Sequence, residues 1–162
     1  MSKRILPIAA VVLAASTAAF ASSVHLKNFA NPTFTDNGLT LTASGALAGL
    51  GVGDVLVNLA ATANATAICT NPSGQHQPPG QNPAPVSVSG SEAIPASDVK
   101  NGTTPFNVTT NPPVTPIPGA PGCPNKNWTE TITDLSFTGA TITVQQGSPP
   151  ATVTGAGFCP GG

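Results

Sequence analysis

Few side chains in this 162-residue chain can do acid–base or nucleophilic chemistry, and their spacing decides what they are good for. Histidine occurs only at His25 and His76, and tyrosine is absent. A Ser-His-Asp triad needs a histidine base held rigidly between nucleophile and carboxylate. His25 falls near the start of the expected mature chain and His76 in a stretch of Pro and Gly, and neither setting supplies that. Six carboxylates are present: Asp36, Asp54, Glu92, Asp98, Glu130 and Asp134. Glycoside hydrolysis needs two of them about 5 to 10 Å apart. The pair Glu130 and Asp134 lies in a stretch that reads as strand, where solvated positions explain both. Asp36, Asn37 and Asp54 are oxygen ligands of the kind calcium takes, but without an Asp-x-Asp-x-Asp spacing they read as turn caps. No Cys-x-x-Cys spacing supports zinc. No catalytic residue, metal ligand or cofactor is expected.

Residues 1–21 carry the three parts of a secretory signal peptide. Lys3 and Arg4 are its positive start, 5–19 its apolar run, and Ala19 and Ala21 the small residues that place cleavage after Ala21. The run falls short of the ~20 residues that a spanning helix needs. No other stretch is longer, so the mature chain is expected to be extracellular with no membrane span. Lys27, Lys100 and Lys126 then face the six acids, a net charge of −3 with no arginine. Such a chain cannot assemble a phosphate-neutralising surface, which excludes nucleic acids and anionic membranes as partners. Charged residues are only 7%, so Thr, Ser, Asn and Gln must solvate the surface. Disorder is not expected, because it goes with low hydrophobicity and high net charge.

The elements that position these groups read as strands. From 55 to 70 a single period of two runs unbroken: Val55, Val57, Leu59, Ala61, Ala63, Ala65, Ala67 and Cys69 alternate with Asn58, Thr62, Asn64, Thr66 and Thr70. This is the pattern of a half-buried strand. Its alanine end needs a bulky neighbour, for which the only Trp, Trp128, is the candidate, and Ile142 and Val144 are expected in the same core. Further strands are expected at 39–47, paired with or adjacent to the long one, and at 86–91, 105–110, 128–137, 140–146 and 151–158. Residues 22–38 read as a lead-in or a first edge strand ending in a turn at 35–38. Seven strands with Gly, Asn and Pro turns and no helical period predict one all-β domain over 39–162, an immunoglobulin-like two-sheet β-sandwich. A closed β-barrel is the alternative.

Two loops interrupt the strands. Residues 71–85 hold five prolines and 111–124 six, and since proline donates no hydrogen bond neither stretch is expected to pair in a sheet. The second loop runs on to Asn127. Three cysteines in an extracellular chain force a choice of pairs. With strands alternating in direction, Cys69 and Cys123 fall at one end of the sandwich and Cys159 at the other, so Cys69 is expected to bond to Cys123. That leaves Cys159 for a capped thiol or a disulfide-linked dimer. If the domain recognises something, Gln75, His76, Gln77, Gln81, Asn82, Lys126 and Asn127 are the candidate contacts, because loops on a rigid frame commonly carry recognition. The competing reading is that the loops only cap the sandwich and cover Trp128.

The runs CTNPSGQ, PGQNPAPVSVSGSEAIPASDVKNG, FNVTT and GCPNKNWTETITDLSFTGATITVQQG, spread over 39–147, resemble a group of small uncharacterised secreted proteins of soil bacteria and filamentous fungi. The resemblance implies a secreted all-β domain and carries no activity or site residue across. This chain departs from the group after its third cysteine. Asn64, Asn101, Asn107 and Asn127 are acceptor sequons, which matter in a eukaryotic secretory pathway. The expected function is a non-enzymatic extracellular binding or structural module with an unknown protein or cell-surface polymer as partner. A secreted hydrolase is the alternative. Ice or another ordered surface is a remote third, prompted by Thr-x-Thr pairs at Thr40, Thr131, Thr141 and Thr152.

Overall fold

The computed structural model describes residues 24–29, 31–100, 102–118, 122–146 and 153–156. The expected signal peptide, Asn101, Thr152 and Cys159 lie outside them. The chain order is β1 (His25–Leu26), β2 (Thr33–Asp36), β3 (Leu41–Ala48), β4 (Val55–Thr70), β5 (His76–Gln77), β6 (Ala84–Ile94), β7 (Thr104–Thr109), β8 (Thr129–Gln146) and β9 (Val153–Ala156). These strands form two antiparallel sheets packed face to face, the expected sandwich rather than a closed barrel. In one sheet β3 is central, with β7 on one side and β1 and β2 sharing the other. In the other, β4 is central. β8 runs along its whole length with β9 beyond, and β6 and β5 divide its opposite side.

The period of two in β4 does what its chemistry requires. Every odd residue from Val55 to Cys69 is at most 3% exposed, while the even row faces solvent or is half-buried. The bulk that the alanines call for comes from the neighbouring strand, since Ala63, Ala65 and Ala67 lie beside Phe137, Leu135 and Ile132. Small and large side chains thus alternate across one face. Ile142 and Val144 join this core beside Leu59 and Val57. In the facing sheet Phe106 lies over Gly45, where a Cβ would come within 2.9 Å of its ring.

Several expectations are corrected. The stretches 128–137 and 140–146 are one strand, not two. The pattern changes phase because Thr133 and Thr138 bulge out of register, and each hydroxyl donates to a β4 carbonyl, Thr133 to Thr66 at 3.1 Å and Thr138 to Thr62 at 3.2 Å. A bulge inserts one residue and reverses the faces after it, which in sequence looks like a turn at Gly139. β3 and β4 do not pair; the Gly-rich link 49–53 crosses between sheets, and Gln146 clamps it by accepting from the Gly51 N–H and donating to the carbonyls of Gly51 and Gly53. The described strands number nine because β1, β2 and β5 are short edge pieces. Thr35 and Asp36 belong to β2, and the turn begins at Asn37. Part of the first proline-rich loop does pair: β5 uses His76 and Gln77, between prolines, and β6 begins at Ala84 with Pro85 on the sheet margin. Trp128 is half-buried and stands outside the core cluster, one residue beyond the last register pair, Thr70 with Thr129.

Candidate functional site

Of the six carboxylates, four hold the chain itself. Asp36 accepts from the Gly38 N–H at 2.8 Å, the turn capping expected of it, whereas Asp54 accepts from the distant Ala96 N–H at 2.8 Å and ties two connections together instead of capping its own turn. Glu92 accepts from the Asn107 N–H at 2.7 Å and Asp98 from the Ser97 hydroxyl at 3.3 Å. Glu130 and Asp134 remain, and the bulge at Thr133 separates them. Glu130 registers with Cys69 of the buried row, whereas Asp134 registers with Thr66 of the exposed row. They point to opposite faces of β8 and do not form a carboxylate pair. Among the Thr-x-Thr positions, Thr131 and Thr141 register with the outer row of β4, whereas Thr40 precedes β3 in the other sheet, so the set does not share a face. Asn64, Asn107 and Asn127 are exposed.

Cys69 and Cys123 are bonded, with Cα atoms 5.6 Å apart and a sequence separation of 54. Cys69 ends the buried row of β4, so the bridge ties 111–127 to the same end of the sandwich from which 71–85 departs. The Gly80 N–H donates to the Gly122 carbonyl at 3.4 Å and adds a second link between the loops.

The first loop bonds its polar groups to one another and to β4 while leaving them largely at the surface. Asn71 Oδ1 accepts from the N–H groups of Ser73 and Gln75 at 3.0 and 2.8 Å, and Asn71 Nδ2 donates to Gln75 Oε1 at 2.9 Å. The chain then doubles back with Gly74 at φ 79°, a conformation that favours glycine. His76 Nδ1 shares a hydrogen with the Thr70 hydroxyl at 2.9 Å. Asn82 stands in for a missing strand residue: its Oδ1 accepts from the Ala67 N–H at 3.0 Å and its Nδ2 donates to the Ala67 carbonyl at 3.2 Å, two residues before β6 begins. Of the five candidate contacts in this loop, Gln75, His76 and Asn82 have side chains engaged internally. All five are exposed, and Gln77 holds β5 to Cys69 through its backbone.

The second loop is anchored at its start, where the Asn111 backbone N–H and Nδ2 both donate to the Ser89 carbonyl, and in its middle by buried Ile117. Asn125 then makes a tight turn. Its Oδ1 accepts from the Asn127 N–H at 2.9 Å and its carbonyl from the Trp128 N–H at 3.1 Å. That turn delivers Lys126, Trp128 and Glu130 to one open depression of about 480 Å³, together with Thr115, Pro116, Cys123, Asn125 and Thr129. Among the described residues the Lys126 ammonium, the Trp128 indole N–H and the Glu130 carboxylate have no hydrogen-bond or ion-pair partner. A second depression of about 380 Å³, lined by Thr70, Asn71, Pro72, Asn127, Thr129 and Thr131, shares Thr129 with the first and lies on the outer face of β4 and β8. Lys126 and Asn127 were candidates from sequence, but Trp128 and Glu130 were not. Their spacing of two residues, Lys126-x-Trp128-x-Glu130, is the signal that would have found them. No group of three His, Cys, Asp or Glu able to hold a metal occurs among the described residues. Comparison with family models, curated proteins and solved structures returns no significant match for this chain.

Proposed function

We propose that the chain is an extracellular binding module, acting without covalent chemistry, whose recognition surface is the disulfide-bonded end of the sandwich. The observation that carries this reading is the set of groups around Trp128 that have no partner among the described residues. An aromatic side chain left half-exposed, with polar groups aimed at one concavity and a rigid wall behind it, is how recognition sites are commonly built. The disulfide and the prolines lower the entropy lost when such a surface is ordered on binding.

Pull-down of the mature chain on insoluble cell-wall polymers, run beside a broad hydrolase panel, tests the reading. Retention that Trp128→Ala abolishes, with no turnover of any panel substrate, is the expected result. Catalytic turnover, or retention unchanged in Trp128→Ala, would overturn it and favour the hydrolase or a different surface.

A further inference from the structure

β8 pairs with β4 along its whole length on one side, but on the other β9 reaches only Thr141 to Val144. From Thr129 to Ala140 the one main-chain hydrogen bond on that second side, among the described residues, runs from the Leu135 N–H to the Gly38 carbonyl at 3.1 Å. We infer that the open stretch from Thr129 to Asp134 takes a further strand, an extended peptide that carries basic residues. The inference rests on the disulfide end being the recognition surface, and it adds the class of partner and how it docks.

The register settles which main-chain groups face outward. Asn82 holds the Ala67 N–H and carbonyl on the β6 side of β4, so the odd residues of β4 turn their main-chain groups that way and the even ones turn theirs to β8. The carbonyls of Thr62 and Thr66, which accept from β8 threonines, agree. Thr129 and Thr131, opposite Thr70 and Ile68, therefore bond to β4, and Glu130 and Ile132 present their N–H and C=O groups to the open edge. Such a row is a template for strand addition, in which main-chain bonds give affinity and alternate side chains give specificity. The Gly38 contact at Leu135 closes the row, which leaves room for a strand of about five residues, an ordinary length.

The side chains along the row select the charge. Glu130 and Ile132 lie on the inner face and Thr131 and Asp134 on the outer. An added antiparallel strand sets one residue beside Glu130, over the depression that holds Trp128, where an ammonium meets both a carboxylate and an aromatic face. Two residues earlier it sets an apolar side chain beside Ile132, and one before that, past the bulge at Thr133, a second cation beside Asp134. Lys126 is the single cation lining this depression, and a mature chain at net charge −3 draws a basic segment toward it. A second copy is disfavoured, because pairing two β8 edges about Ile132 gathers the Glu130 and Asp134 carboxylates of both chains.

Amide hydrogen exchange of the mature chain, resolved by residue, reads the edge directly, and Thr131, which points into the sheet, is its internal reference. In the free protein the Glu130 and Ile132 amides should exchange at least about tenfold faster than that of Thr131. A capped peptide containing Lys-Val-Thr-Lys is expected to slow both by about tenfold or more near saturation. It should also shift the emission of Trp128, the only tryptophan in a chain without tyrosine. The same peptide with Glu in place of Lys should do neither. Glu130→Gln combined with Asp134→Asn should weaken binding several-fold with an unchanged melting curve, which separates recognition from folding. If the lysine peptide shifts the emission but leaves both amides fast, strand addition is wrong while the binding end stands. Amides already slow in the free protein overturn the inference as well: a sedimentation mass of one chain then shows that the chain covers its own edge, and a mass of two that a second copy does. No response of amides or emission to any peptide overturns it too, and the recognition surface is then judged by the polymer pull-down alone.

Discussion

The two proline-rich loops are alike in composition and unlike in what their polar groups do. Both open on Thr-Asn-Pro, both are dense in proline, and one disulfide joins their roots. The first folds its Asn and His side chains back onto β4 and itself, through Asn71, His76 and Asn82. The second anchors its two ends and leaves Lys126, Trp128 and Glu130 facing an open depression. A polar group already hydrogen-bonded within the fold gains little from a ligand, because binding exchanges one partner for another. An unpartnered group beside an aromatic face gives up only water. What separates a cap from a recognition loop here is therefore not residue type but whether the local turn consumes the donors and acceptors it displays.

The comparison is broken most forcefully at the bridge. Replacing Cys69 and Cys123 together by Ala is expected to cost about 2 to 5 kcal/mol in chemical denaturation, the range for native disulfides. Hydrogen exchange on the same variant should keep the protection of the Gln75 amide, which is held by Asn71, and lose it over 122–128. Equal loss in both loops would mean that the first depends on the bridge as much as the second. Next in size is Gly90→Ala. A Cβ at Gly90 would sit 1.9 Å from the Thr109 carbonyl oxygen, where β7 passes close over β6 just before the second loop departs. The backbone has to shift, at an expected cost of about 1 to 3 kcal/mol. A melting temperature equal to that of the parent would show that this root of the second loop is not tightly fixed.

Much of the frame was legible in the residues because its signals are periodic. The alternation over β4 gave its limits and its buried face, and the placement of Cys69 and Cys123 at strand ends anticipated their bond. β8 reads as two strands because two bulged threonines shift its phase, and a shift of one residue has the same signature as a break. The site was half legible. Lys126 and Asn127 stood out as polar loop residues. Trp128 reads as core from the sequence because an alanine row asks for bulk, and only the register shows that Phe137, Leu135 and Ile132 supply it. The internal bonding of Asn82 could not be foreseen, since it depends on β6 stopping two residues short of Ala67 on its partner strand.

Within the first loop, Asn82→Ala isolates the capping role. It leaves the Ala67 N–H and carbonyl without their partners, and an expected loss of about 1 to 3 kcal/mol follows from part-buried backbone groups left unpaired. Gln81→Ala, next to it and exposed, is expected to change stability by less than about 0.5 kcal/mol. A urea titration of both variants decides the matter: equal, small effects would show that the Asn82 clip is incidental and that the first loop is as open to ligands as the second.

The smallest expected effects are the sharpest test, because they bear on the groups said to be left over. Lys126→Ala and Glu130→Gln should each alter stability by less than about 0.5 kcal/mol, since neither side chain has a partner to lose among the described residues. The two line the same depression with opposite charges, so a hidden attraction between them is the natural objection. A double-mutant cycle answers it, because independent sites add to within about 0.3 to 0.5 kcal/mol, whereas bonded partners do not. An additive cycle keeps both groups available to a ligand. A coupling of about 1 kcal/mol or more would mean that ammonium and carboxylate close over Trp128 in solution. The second loop would then have consumed its polar groups as the first does, and both would be caps.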